Sequence, residues 1–311
     1  MVRGHVPVRA ARTGRKTFNI VNPTDSLAAN PRLSLNRMLL RRLLHNRGAL
    51  LGGTILLALI FSAIGAPWLT ARDPLEMNPP DRWLPPDAEH WFGTDNFGRD
   101  IFTRVLYGTR ISLPMGLISV GLALAISLAA GLLAGYYGGR VDALVMRAVD
   151  VMLAFPGLLL ALAIVATLGP NLENAMIAVG ISAAPTYIRV VRAGVLSARE
   201  FDYVEAARSV GAPDYIIMTR HILPNIIAPV IVLATLGVAG AMITGAALSF
   251  LGLGAKPPAP EWGAMLSEAR NYLRLAPWTT TFPGLAIVVA ALAINLLGDG
   301  LRDVLDPRAN R

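Results

Sequence analysis

Five stretches of this chain run for more than twenty residues without an Asp, Glu, Lys or Arg: Ala49 to Ala71, Leu113 to Gly139, Val151 to Leu172, Ile222 to Ala255 and Leu275 to Gly298. A bilayer core of about 30 Å is crossed by roughly 20 helical residues, and charge is costly inside it. Runs of this length rich in Leu, Ile, Val and Ala are therefore expected to be membrane-spanning helices. Ile222 to Ala255 is longer than one crossing requires, so its core is placed at Ile226 to Leu248. Asn174 to Ile188 is shorter and carries Pro185; it reads as a sixth span, with a re-entrant segment as the alternative. The expected fold class is all-α, a polytopic membrane protein with six spans at 49–71, 113–135, 150–170, 174–191, 226–248 and 279–298. Charged residues make up only 15% of the chain, against about 25% in soluble domains, which argues against a water-soluble enzyme. The absence of cysteine excludes a disulfide framework, thiolate metal sites and a Cys nucleophile.

Direction follows from where Lys and Arg fall in short loops. Ten precede Ala49 (Arg3, Arg9, Arg12, Arg15, Lys16, Arg32, Arg37, Arg41, Arg42 and Arg47) against one acid, Asp25. That places the N-terminal arm, 1–48, in the cytoplasm, and six spans return the tail, 299–311, to the same side. The loop 72–112 holds five Arg and seven acids, as an external loop tolerates, and 249–274 is external too. Ten bases less one acid give +9 before the first span, leaving −1 of the net +8 for the rest. Beside a membrane span, such an arm suits anionic headgroups rather than nucleic acid. Its Pro and Gly suggest poor order over Val2 to Pro31. Met38, Leu39, Arg42, Leu43 and His45 fall at helical spacing within Asn36 to Asn46, as in an interfacial amphipathic helix. A cleaved signal peptide does not fit, because 48 residues precede the first run and five spans follow it.

Gly131-x-x-x-Gly135, and Gly237, Ala241 and Gly245, offer small faces for packing within the chain or along a seam with a partner. Pro114, Pro156, Pro185, Pro229 and Pro283 remove backbone donors in or beside spans, which suits a moving bundle better than a static anchor. No Asp, Glu or His chain runs through the spans, so energy for any pumping must come from elsewhere. Ser119, Thr235, Thr244 and Asn295 are candidates to line a pathway, with helix-backbone bonding as the alternative.

The most informative stretch is 200–224 with Asn225, EFDYVEAARSVGAPDYIIMTRHILPN. Tyr203, Ala206, Ala207 and Val210 fall on one face of a short helix, Gly211 breaks it, Asp214 can cap a second, and Leu223-Pro224 ends that at the membrane. Two short helices about a glycine elbow form a compact knob, suited to a groove on a soluble partner. Ala206 and Ala207 would allow close approach, Gly211 a turn without a Cβ clash, and Glu205 an anchoring bond, with Arg208 or a partner.

Glu205-Ala206-Ala207, then Gly211, then Leu223-Pro224, resembles the EAA loop of permease subunits of bacterial ABC importers. The resemblance implies that this loop is the coupling helix, which transmits nucleotide-driven closure of an ATPase dimer to the membrane helices. His221 departs from the general consensus, and His-Ile-Leu-Pro-Asn resembles the peptide and nickel branch; the histidine reads as a polar contact rather than a metal ligand. Gly93-Thr94-Asp95, Gly98-Arg99-Asp100, Arg104, Gly108-x-Arg110-x-Ser112-Leu113, Leu248 to Gly254, Trp262-Gly263 and Gly298 to Asp303 extend the likeness to the C-type subunit. Gly245 stands where relatives often carry an acid, so no charged group near an external gate is carried over. The resemblance implies a type I importer fold in the bacterial cytoplasmic (inner) membrane, paired with a second homologous permease subunit as a heterodimer. It also implies two cytoplasmic ATP-binding subunits and an extracytoplasmic binding protein that delivers dipeptides or oligopeptides, with nickel or a metal chelate as the alternative cargo. No Walker A sequence occurs, and the only lysines are Lys16 and Lys256. No cofactor is therefore expected in this chain, and ATP and Mg belong to partner subunits. A self-sufficient channel or secondary transporter would transport alone; an intramembrane enzyme would need a His-Glu-x-x-His or paired-Asp pattern, which is missing.

Overall fold

The computed structural model describes residues 43–305. The basic arm, most of the expected amphipathic helix and the end of the tail lie outside the described residues. Among the described residues the chain is helical, with one isolated bridge, Thr94 to Asp100. Five helices among the described residues are long and apolar enough to cross a bilayer, or six if one bent pair forms a single crossing.

Helix α1 (Arg47–Leu69) starts where the Asn46 side chain accepts the N–H of Ala49 at 3.1 Å. Pro67 inside it has no N–H, so the Ala63 carbonyl lacks its helical donor. Arg110 supplies one: its Nε donates to Ala63 and its Nη2 to Ile64 at 3.1 Å. Arg110 lies on α2 (Ile101–Tyr137), whose 37 residues span about 55 Å at 1.5 Å each. The expected start at 113 is thus corrected to 101. Asp100 caps the helix by accepting from the N–H of Thr103 at 2.8 Å, and Arg104 and Arg110 had interrupted the uncharged run.

The span expected at 150–170 is bent sharply at Pro156. Helix α3 (Gly139–Leu153) and α4 (Gly157–Leu168) meet at 97°. Pro156 withholds an N–H and disfavours helical backbone at the residue before it, which breaks the helix at this point. With 12 residues, α4 is about 18 Å long, short of a full crossing. The doubtful segment at 174–191 is a regular helix, α5 (Leu172–Ala198), capped by Asn171. Its arginines fall near its end and are neutralised from α3: Arg192 forks onto Asp142, and Arg189 meets Asp150 at 2.6 Å. The short helices α6 (Asp202–Ser209) and α7 (Asp214–Ile216) follow. Then come α8 (Leu223–Phe250), α9 (Trp262–Ala269) and α10 (Trp278–Leu305).

Contacts between helix ends sort the bundle. At the knob end, Asn46 donates to Asp303 at 2.9 Å, and Arg199 donates to the Gly135 carbonyl at 3.1 Å. At the far end, Trp262 Nε1 donates to Val105 and Trp278 Nε1 to Thr94. The most extensive packing joins α2 to α5, where a Cβ on Gly131 or Gly135 would stand 2.7 Å from the Cβ of Val191 or Val195. Gly237 packs on Tyr187 and Gly245 on Met115, so these small faces serve packing within the chain.

Candidate functional site

The segment singled out by sequence forms an outward knob. Helix α6 buries Val204 and Ala207 against a cluster of Tyr136, Val191, Val195, Ala198, Ile217 and Ile222. Its exposed side presents Tyr203, Ala206 and Val210 at helical spacing, with Val210 83% exposed. The expectation that all four face one way is corrected: Ala207 points inward, while Ala206 lies on the surface. Gly211 takes φ +77°, where L side chains are strained, and a Cβ there would meet nothing within 4 Å. The glycine thus serves the backbone turn rather than a tight contact.

The second half departs from a helix ended at Leu223-Pro224. Asp214 stands just inside α7 rather than capping it, and the chain passes through a π-helical turn, Ile217–Ile222, directly into α8. Pro224 cannot donate to a carbonyl one turn back, and the ladder widens just before it, with Leu223 N–H reaching Met218. Asn225 Nδ2 donates to the His221 carbonyl at 2.6 Å. The knob is therefore continuous with a crossing helix.

Two side-chain links tie the knob to the bundle. Tyr136 at the end of α2 donates to Asp214 at 2.7 Å, and the Arg208 guanidinium lies 5.1 Å from the Tyr136 ring centroid. Arg208 is thus turned to the aromatic ring, and Glu205 is exposed with no ion pair among the described residues. The anticipated bond between Glu205 and Arg208 is not formed. Tyr136, Arg199, Phe201, Glu205 and Arg208 instead border an open recess of about 650 Å³.

The four pathway candidates separate. Ser119 is buried and donates to the Met176 carbonyl at 3.0 Å, joining α2 to α5; it lines no open surface within the chain. Thr235 and Thr244 donate to carbonyls of their own helix, Ile231 and Gly240. Asn295 is exposed.

At the far end, the motif residues around 93–112 assemble a charged cluster that sequence reasoning completed only in part. Arg99 and Arg104 are both 1% exposed. Asp95 accepts from Arg99 at 2.6 Å, and Glu268 accepts from Arg99 at 2.8 Å and Arg104 at 3.1 Å. The external segment before α2 is thereby clamped to α9. Glu261, wholly buried, caps α9 by accepting from the N–H groups of Gly263 and Ala264 and from the Ser112 hydroxyl. Burial pushes its carboxyl above the usual range, opposed by those hydrogen bonds. The signal for Glu268 was available: buried arginines demand carboxylates, and the 249–274 loop holds Glu268.

A polytopic helical bundle with an exposed knob continuous with one crossing helix defines an integral membrane component of a transporter. The fold is that of a solved chain described as inward-facing conformations of the MetNI methionine ABC transporter, at TM-score 0.52 and 21% identity over 66% of this chain and 97% of that one. The chain belongs to the family of binding-protein-dependent transport system inner membrane components, whose model matches residues 127–311. The N-terminal TM domain of oligopeptide transport permease C matches residues 34–86. A dipeptide transport system permease protein, DppC, of Alkalihalophilus pseudofirmus is 51% identical over 86% of this chain and 88% of its own length. A glutathione transport system permease protein, GsiD, of Pectobacterium atrosepticum is 48% identical over 86% and 89%.

Proposed function

We propose that this chain forms one half of the translocation pathway of an ATP-driven importer for dipeptides or oligopeptides in the bacterial cytoplasmic membrane. The second half is a homologous permease subunit, cargo comes from an extracytoplasmic binding protein, and ATP and Mg are held by two ATPase subunits. The observation that carries the mechanism is the knob: an exposed Tyr203, Ala206 and Val210 face on an elbow anchored by Val204, Ala207 and Ile217 and continuous with α8. The peptide cargo is supported by the names of relatives about half identical along most of the chain.

Glu205, Ala206, Ala207, Gly211, Leu223 and Pro224 take distinct parts in this reading. Glu205 and Ala206 meet the ATPase surface, and Ala207 seats the knob. Gly211 makes the elbow, and Leu223-Pro224 carries motion through the widened turn into the membrane. The knob end is cytoplasmic. The test is reconstitution in vesicles with the neighbouring permease, ATPases and binding protein. Ala206→Asp should leave the complex assembled in the membrane but abolish binding-protein stimulation of ATP hydrolysis and peptide uptake. Normal coupling in that variant, or uptake by this chain alone, overturns the reading.

A further inference from the structure

Near the far end, α1, α2, α8 and α10 border an apolar groove of about 370 Å³, walled by Leu56, Ile60, Leu117, Val238 and Leu297. Its two threonines, Thr109 and Thr235, spend their hydroxyls on the Val105 and Ile231 carbonyls of their own helices. A polar peptide would find little to bond in such a slot, but hydrocarbon fits it.

One charged side chain borders the groove, Arg110. Its guanidinium is exposed, with two donors engaged by Ala63 and Ile64 and the Tyr107 ring centroid 4.9 Å away. Its other three N–H groups meet no acceptor among the described residues. Among the described residues no carboxylate lies within ion-pair distance of it, whereas Arg99 and Arg104 nearby are fully paired. Trp68, one turn beyond Ile64, is exposed, and Tyr107 lies one turn before Arg110. Aromatic rings of this kind collect at the level of lipid headgroups. The structure thus sets a guanidinium with no carboxylate partner among the described residues beside an apolar slot, flanked by aromatic rings of the kind that collect at headgroup level.

We propose that this groove seats an acyl chain of an anionic phospholipid whose phosphate pairs with Arg110. A guanidinium already fixed by two carbonyls offers its remaining donors as a fork to phosphate oxygens with little further ordering. The lipid would brace α1 against α2 and α8, a role separate from peptide transport and from the knob.

The experiment is native mass spectrometry of the full-length chain in its membrane complex, with dioleoylphosphatidylglycerol or dioleoylphosphatidylcholine added. The wild type should retain the anionic lipid preferentially, and Arg110→Gln should weaken that retention about fivefold while leaving phosphatidylcholine unchanged. Arg110→Lys should keep most of the preference. Leu117→Trp, at a position 60% exposed on the groove wall, leaves the arginine lock intact and should reduce retention of both lipids. Equal retention of phosphatidylglycerol by wild type and Arg110→Gln overturns the proposal. Should Arg110→Gln fail to assemble, unchanged retention by Leu117→Trp overturns it. A photo-crosslinker at Ile60 that joins another membrane subunit instead of lipid overturns it as well.

Discussion

The phenol of Tyr136 and the carboxylate of Asp214 are joined at 2.7 Å, so the last turn of α2 holds the first turn after the glycine elbow. A hydrogen bond of this kind is worth about 1 kcal/mol, and Arg208 over the same ring ties α6 to the same point. Tyr136→Phe keeps the ring and removes only the hydroxyl. It should leave insertion unchanged and reduce binding-protein stimulation of ATP hydrolysis several-fold, whereas Asp214→Asn, which keeps an acceptor, should retain most of it. Identical stimulation in Tyr136→Phe and wild type would show that this strut transmits nothing.

Gly211 separates conformational from steric demand. A Cβ there meets nothing within 4 Å, yet φ is +77°, where an ordinary L residue pays about 1–2 kcal/mol and Asn less. Gly211→Asn should therefore keep much of the uptake rate and Gly211→Val lose most of it, with both proteins equally abundant in the membrane. Equal rates in the two variants would rule out the elbow conformation as the constraint.

Orientation has a direct test because the chain contains no cysteine. Val210, 83% exposed on the knob, and Met77, 52% exposed before α2, can each be replaced by a single cysteine. In intact cells an impermeant maleimide should label Met77→Cys and spare Val210→Cys until the membrane is opened. The reverse pattern would invert the topology.

Glu268 accepts from both Arg99 and Arg104, so its loss would leave two guanidinium groups that are 1% exposed to share the single carboxylate of Asp95. Removing one partner of a buried ion pair costs about 3–5 kcal/mol, whereas apolar replacement of the whole group is often tolerated. Glu268→Ala should therefore yield little folded protein. The variant Asp95→Leu, Arg99→Met, Arg104→Met, Glu268→Leu should recover more, measured as monodisperse protein in detergent. A poorer yield from the fourfold variant than from Glu268→Ala would assign the cluster a role beyond mutual neutralisation.

Uncharged run length located α1, the core of α8 and α10, because hydrocarbon excludes charge whatever the neighbours are. It failed at α2, where Arg104 and Arg110 lie in the helix and find partners remote in sequence: the Glu268 carboxylate is 164 residues from Arg104, and the Ala63 carbonyl is 47 residues from Arg110. The same distance concealed Glu261, 149 residues from Ser112. Pro156 was legible as a kink, but the 97° between α3 and α4 was not, nor were the pairs that Asp142 and Asp150 make with arginines on α5, 50 and 39 residues further on. In the knob, residue types and the elbow were legible from spacing. The direction each alanine faces was not, since the phase of α6 is set by Val204 and Ile217 entering the cluster around Tyr136.

Glu261 ties the far end to pH. Burial raises its folded-state pKa above the ordinary 4.5, so the folded protein holds this proton at pH values where the unfolded chain has released it. Stability from this group is complete below about 4.5 and declines as pH rises toward the folded value, because the charge must then form in a buried site. Glu261→Gln keeps an acceptor for one N–H of the α9 cap and removes the ionisation. Melting temperatures of the detergent-solubilised complex, compared between about pH 4 and pH 8, should show the wild type losing ground to Glu261→Gln as pH rises. All other titrating groups cancel in that difference. Parallel curves would mean that Glu261 ionises at an unshifted pKa and that the cap is open to water.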